Sequence, residues 1–129
     1  MEQSVQVFAA ISFLVIGLSH IFQPRAWVAY FQVLVAKGTT GAFFEGFILL
    51  NFGAFIAGFH NVWHGPEIVL TLVGWAQVIK GFVRFVVPEV GVRIMARMTM
   101  ERAWQIQVAG GFALALSAFF WWLRFRIHA

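Results

Sequence analysis

Four stretches of the chain, about 4–22, 42–60, 67–87 and 103–123, are apolar over nearly their whole length. A helix rises about 1.5 Å per residue, so a hydrocarbon core of about 30 Å takes about 20 such residues to cross, and all four approach that length. The pattern predicts four transmembrane helices. The first has only Glu2 ahead of it, with no positively charged leader and no small-residue cleavage motif behind it, and is read as a retained span rather than a signal peptide.

Two shorter segments follow a different period. After Gln23-Pro24-Arg25, the residues Trp27, Tyr30, Phe31 and Leu34 fall at i, i+3, i+4 and i+7, which predicts an amphipathic helix over about 24–37 lying at the membrane surface. Pro24 suits its first turn, and Gly38-Thr39-Thr40-Gly41 supplies the break before the next span. A second such helix over about 88–98 opens on Pro88. There Glu89, Arg93, Arg97 and Glu101 recur every four residues, with Glu89 and Arg93 in the favourable order for a helical ion pair. Thr99 with Glu101 makes a helix start for the fourth span.

Displaced by 64 residues, the two halves match in layout: Gly17 falls on Gly81, His20 on Arg84, Pro24 on Pro88, Val28 on Val92 and Gly46 on Gly110. The predicted fold is therefore an all-α integral membrane protein, a single four-helix domain over 1–129. It is built as two similar hairpins, each with a short interfacial helix after its first span, related by a pseudo-twofold axis along the membrane normal.

Composition agrees with this solvent. The chain is 61% hydrophobic and 11% charged, with a mean hydropathy of +0.84, whereas a soluble domain averages about 45–50% apolar and about 25% charged residues. No interior of 129 residues holds that excess. The absence of cysteine removes disulfide scaffolds, thiolate metal and iron–sulfur sites, thiol nucleophiles and c-type haem attachment. A net charge of +4 is spread among apolar segments rather than gathered on one hydrophilic face, which argues for anionic lipid head groups and against nucleic acid. Arg25, Lys37, Arg93, Arg97 and Arg102 lie on one side of the membrane with Lys80 and Arg84 near the same end, against Arg124 and Arg126 on the other. The positive-inside rule then puts both termini on the non-cytoplasmic side, of what is expected to be a bacterial inner membrane.

Polar residues inside such spans are where chemistry would sit. His20, Glu45, Lys80 and Arg84 are expected near one end of the bundle. Gln77, Lys80 and Arg84 share a face at i, i+3 and i+7, so these five form a candidate polar vestibule for an anion, a head group or a quinone-type oxygen. The plainer reading has Lys80 and Arg84 snorkelling to the interface with Glu45 neutralising one of them. Ser12, Asn51 and Gln77 fall near mid-membrane, as a path or as interhelical hydrogen bonds. His60, His64 and Glu67 form H-x3-H-x2-E, a weak candidate for a metal, although Gly65-Pro66 breaks the helix before Glu67. Gly53 with Ala57, Ala54 with Gly58, and Gly111 with Ala115 are small-residue pairs that predict close helix contacts, within the bundle or with another chain. No phosphate loop, nucleophile elbow or H-E-x-x-H is present, and no cofactor is required by the sequence.

Four spans in this length, with Gly17-x-x-His20-x-x-x-Pro24 closing the first, resemble the small four-helix bacterial membrane proteins of the DoxX-like kind. The likeness covers the end of one span and the general layout, and no functional residue is carried over from it. Three functions remain open. The leading one is a small accessory subunit that packs by helix contacts in a larger membrane complex or with itself. The second is a small oligomeric transporter or channel with a cationic vestibule. The third is a membrane protein that interacts with a lipid, quinone or tetrapyrrole, through His20 or the His60/His64 pair.

Overall fold

The computed structural model describes the backbone of residues 2–128 and the side chains of residues 3–125; the side chains of Glu2 and Arg126 lie outside that range. Six α-helices follow one another: α1 (Glu2–Phe22), α2 (Pro24–Ala36), α3 (Thr39–Phe59), α4 (Ile68–Val86), α5 (Pro88–Met95) and α6 (Ala103–His128), with a 3-10 turn at Met100–Arg102. Among the described residues there is no strand. The four long helices α1, α3, α4 and α6 are each long and apolar enough to cross a membrane.

The breaks have local causes. Gln23 and Val87 both sit at φ near −130° with ψ out of the helical range, because a proline ring disfavours helical backbone in the residue before it, so α1 and α4 each end two residues before Pro24 and Pro88. Gly38 turns the chain at φ 60°, a conformation that glycine adopts without a Cβ clash, and α3 starts directly after it at Thr39, earlier than the apolar run implies.

The second short helix is shorter than its charge spacing predicts. It stops at Met95, which is buried against Leu34 and Ala42, and the chain beyond turns back towards α6. Glu89 and Arg93 thus share a helix, while Arg97 falls in the turn and Glu101 in the 3-10 segment.

The packed pairs are α1 with α6 and α3 with α4, whereas α1 and α3, consecutive spans in sequence, scarcely touch. Glycines set both close approaches. A Cβ on Gly53 would lie 2.6 Å from the Val78 nitrogen and 2.7 Å from the Gly74 oxygen. One on Gly17 would lie 2.9 Å from the Gly110 oxygen. Backbones this close gain van der Waals contact that bulkier residues would prevent.

The core occupies only one end of the bundle. Val5, Ala9, Phe13, Ile56, Leu70, Phe120 and Leu123 meet where the N-terminal part of α1 and the C-terminal part of α6 face the α3–α4 connection. At the opposite end, α2 and α5 are inserted, and a second small cluster of Leu34, Ala42 and Met95 ties them to α3.

Candidate functional site

Because α1 and α3 diverge below the core while α2 closes the end of the gap, a cavity of about 720 Å³ opens between them. Its body is apolar, formed by Phe13, Ile16, Ile48, Leu49 and Phe52. Its end beside α2 is polar, formed by Ser19, His20, Gln23, Trp27, Tyr30 and Glu45. Phe44 also lines it, and both Phe44 and Ile48 are exposed. Gln77 reaches the cavity from α4, at the level where Gly53 lets α4 come close to α3.

The polar end is ordered by specific bonds. The Trp27 ring lies over His20, centroids 4.2 Å apart, and its Nε1–H donates to Ser19 Oγ at 2.9 Å. His20 Nδ1 is 2.8 Å from the Ile16 carbonyl oxygen. A carbonyl only accepts, so Nδ1 carries the proton, and Nε2 of the neutral ring is an acceptor. The Tyr30 hydroxyl donates to Glu45 Oε2, and the Tyr30 ring meets Trp27 edge-on at 5.6 Å. Burial, followed by the hydrogen bond to Glu45 and the charge of that carboxylate, pushes the Tyr30 phenol above its ordinary range, against a smaller opposing pull from Arg84.

Glu45 and Arg84 are both buried, at 8% and 7% exposure, and attract each other electrostatically. Arg84 fits there because two neighbours lack side chains. Its Cβ passes 2.8 Å from where a Cβ on Gly46 would stand, and its Cγ passes 3.2 Å from the same point on Gly91. Its Nε has no hydrogen-bond partner.

Of the five residues expected in a vestibule, His20, Glu45 and Gln77 line the cavity and Arg84 approaches Glu45. Lys80 does not join them. It is exposed on the outer surface of α4, since at about 3.6 residues per turn Gln77 and Arg84 project only about 20° apart while Lys80 is turned about 40° or more from both. Asn51 is likewise on the outside of α3, its amide donating to the Phe47 carbonyl of its own helix at 2.7 Å, and Ser12 is half-buried on α1 away from the cavity.

The small residues divide in two. Gly53 and Ala57 face α4, whereas Gly58, Gly111 and Ala115 are exposed, with nothing within 4 Å of a Cβ on Gly58 or Gly111.

His60 is fully buried at the end of α3, with Nε2 2.9 Å from Gln6 Nε2 and Nδ1 3.2 Å from Thr71 Oγ1. The Gln6 amide must donate here, so His60 Nε2 accepts. Thr71 Oγ1 also reaches the His60 and Val62 carbonyls at 2.9 and 2.7 Å, so the cluster pins the α3–α4 connection to α1. His64 is exposed and Glu67 half-buried, and among the described residues no three His, Asp or Glu side chains gather as metal ligands.

Tyr30, Trp27 and Ser19 escape the sequence reading, which assigns the α2 stripe to the membrane surface. The stripe packs onto α1 and α3. A signal was present in the placing of the only tyrosine of the chain one turn after Trp27, on the same face as Leu34. No protein-family model, curated protein or solved structure matches this chain.

Proposed function

We propose that this chain is a small membrane protein that binds an amphipathic, membrane-dissolved molecule, lipid-like or quinone-like, in the cavity between α1 and α3. The observation that carries the reading is a cavity of about 720 Å³ that pairs an apolar body with a bonded polar end built from His20, Tyr30 and Glu45. Ligand sites are concave, mostly apolar and oriented by a few polar groups, and this cavity has that make-up. Its lining at Phe44 and Ile48 is exposed where hydrocarbon would surround the bundle, so the occupant arrives sideways from the bilayer. The test is solvent extraction and mass spectrometry of the purified protein, comparing the wild type with Ile48→Trp, which enlarges a lining side chain. An amphiphile enriched in the wild type and lost from the variant is the expected result; identical contents would overturn the reading.

A second reading, an accessory subunit held by helix contacts, is favoured by one feature of α6. Trp104, Val108, Gly111, Ala115, Ala118 and Trp122 follow each other at spacings of four and three, and all six are exposed. That is the period of a helix-packing seam with small residues at its centre, suited to another membrane helix.

We also infer that the two halves are a repeat. The contacts of Gly110 with His20 Cβ at 2.8 Å and Ile21 Cγ1 at 3.1 Å have counterparts 64 positions away. There Gly46 meets Arg84 Cβ at 2.8 Å and Phe85 Cδ2 at 3.2 Å. Leu114 against Gly17 likewise corresponds to Leu50 against Gly81. The polar end of the cavity belongs to the first half alone, since Tyr30 and Glu45 correspond to Ile94 and Ala109. The excess of Lys and Arg around α2 and α5 supports a cytoplasmic location for that end, in a bacterial inner membrane, with both termini opposite.

A further inference from the structure

Resting on the reading of this cavity as a ligand site, we propose that it selects a neutral hydroxyl head group, a phenol or alcohol on an apolar body, with His20 Nε2 and the Glu45 carboxylate as its acceptors. The hydrogen-bonding inventory of the polar end is lopsided. Tyr30 spends its hydroxyl proton on Glu45, Trp27 its indole N–H on Ser19, and His20 its Nδ1–H on the Ile16 carbonyl. Among the unspent groups of the lining residues are two acceptors, the second nitrogen of His20 and a carboxylate with about four lone-pair sites, of which Tyr30 fills one. The donors that remain, the Ser19 hydroxyl and the amides of Gln23 and Gln77, are all uncharged. A ketone or ether head would thus find only neutral donors, while a hydroxyl meets a charged acceptor, the stronger kind of bond.

Charge narrows the choice further. Arg84 attracts Glu45 from the side away from the cavity lining, so the pair is close to neutral as seen by a ligand. An anionic head would be repelled by Glu45, the nearer charge, and an ammonium would give up its hydration for a carboxylate that Arg84 already compensates. A neutral donor remains.

Three shape-matched probes test this on the full-length protein in one detergent: 4-octylphenol, its methyl ether 4-octylanisole, and 4-octylbenzylamine in its protonated form. Affinities are taken by titration calorimetry with micelle partitioning measured separately. The phenol is expected to bind about tenfold or more tightly than the ether, the worth of one hydrogen bond to a charged or well-placed acceptor. His20→Phe keeps a ring for Trp27 to stack on and removes the acceptor; it should lower phenol affinity and leave ether affinity unchanged, which a loss of folding would not do. Glu45→Gln should act the same way and serves if His20→Phe does not fold. Equal binding of phenol and ether, or tightest binding of the ammonium, overturns the hydroxyl preference while leaving the cavity a ligand site. Binding of none of the three overturns the preference together with the cavity reading on which it rests.

Discussion

Tyr30 is the only tyrosine in the chain, so absorbance at 295 nm in alkali reports its ionisation without overlap. Its phenol should begin to ionise well above the usual 10.0, because burial and the neighbouring carboxylate both penalise the anion. A raised value means that the folded state holds the proton more tightly than the unfolded one. This contribution is complete below 10.0 and fades as the pH climbs past it, so thermal stability should hold up to about pH 10 and then decline. Glu45→Gln should move the absorbance transition down, since it removes the acceptor charge but leaves the burial. A midpoint unchanged in that variant would show that Glu45 does not act on the phenol. These residues also mark where the sequence stops being informative. His20, Glu45 and Arg84 are legible as polar groups at one depth, but an i, i+3, i+7 face cannot separate Lys80 from Arg84. That separation is made by the rotation of Lys80 out of the packed face of α4, while Gly46 and Gly91 leave room for Arg84 within it.

Helices are the most legible level, because the four apolar runs mark the long ones and the two prolines fix where α1 and α4 stop, although the start of α3 and the end of α5 fall elsewhere than the pattern implies. Which helices pair is hidden, since in lipid every apolar face is equally acceptable and small residues decide close contact. The sequence offers Gly53 and Gly111 as equals; only the first has a neighbouring backbone against it. Gly53→Leu should therefore destabilise the bundle by about 1–3 kcal/mol or more through forced separation of α3 and α4, measurable by denaturant unfolding in detergent. Gly111→Leu should stay within about 0.5 kcal/mol of the wild type in the same assay, as expected for a surface position. Any loss it causes should appear instead in co-purification of partner chains. A Gly111→Leu protein as unstable as Gly53→Leu would place α6 differently. The α2 stripe shows the other limit of periodicity, since an apolar face one turn wide reads the same whether it rests on head groups or on α1 and α3.

For the molecule as a whole, orientation is open to a clean test because there is no native cysteine. With single cysteines at His64 and Arg97, a membrane-impermeant maleimide added to intact cells should label the first and spare the second. The reverse pattern would invert the topology. The distribution of packing has its own effect at this scale. The four-helix core lies at the end shared by the termini, and the cavity runs from its margin at Phe13 and Phe52 to the end beside α2. On the proposed reading of the cavity, a molecule resident in the leaflet opposite the α2 end would have to flip before it could be captured, so occupancy would follow the composition of a single leaflet, and an asymmetric membrane would fill or empty the site without any change in total lipid.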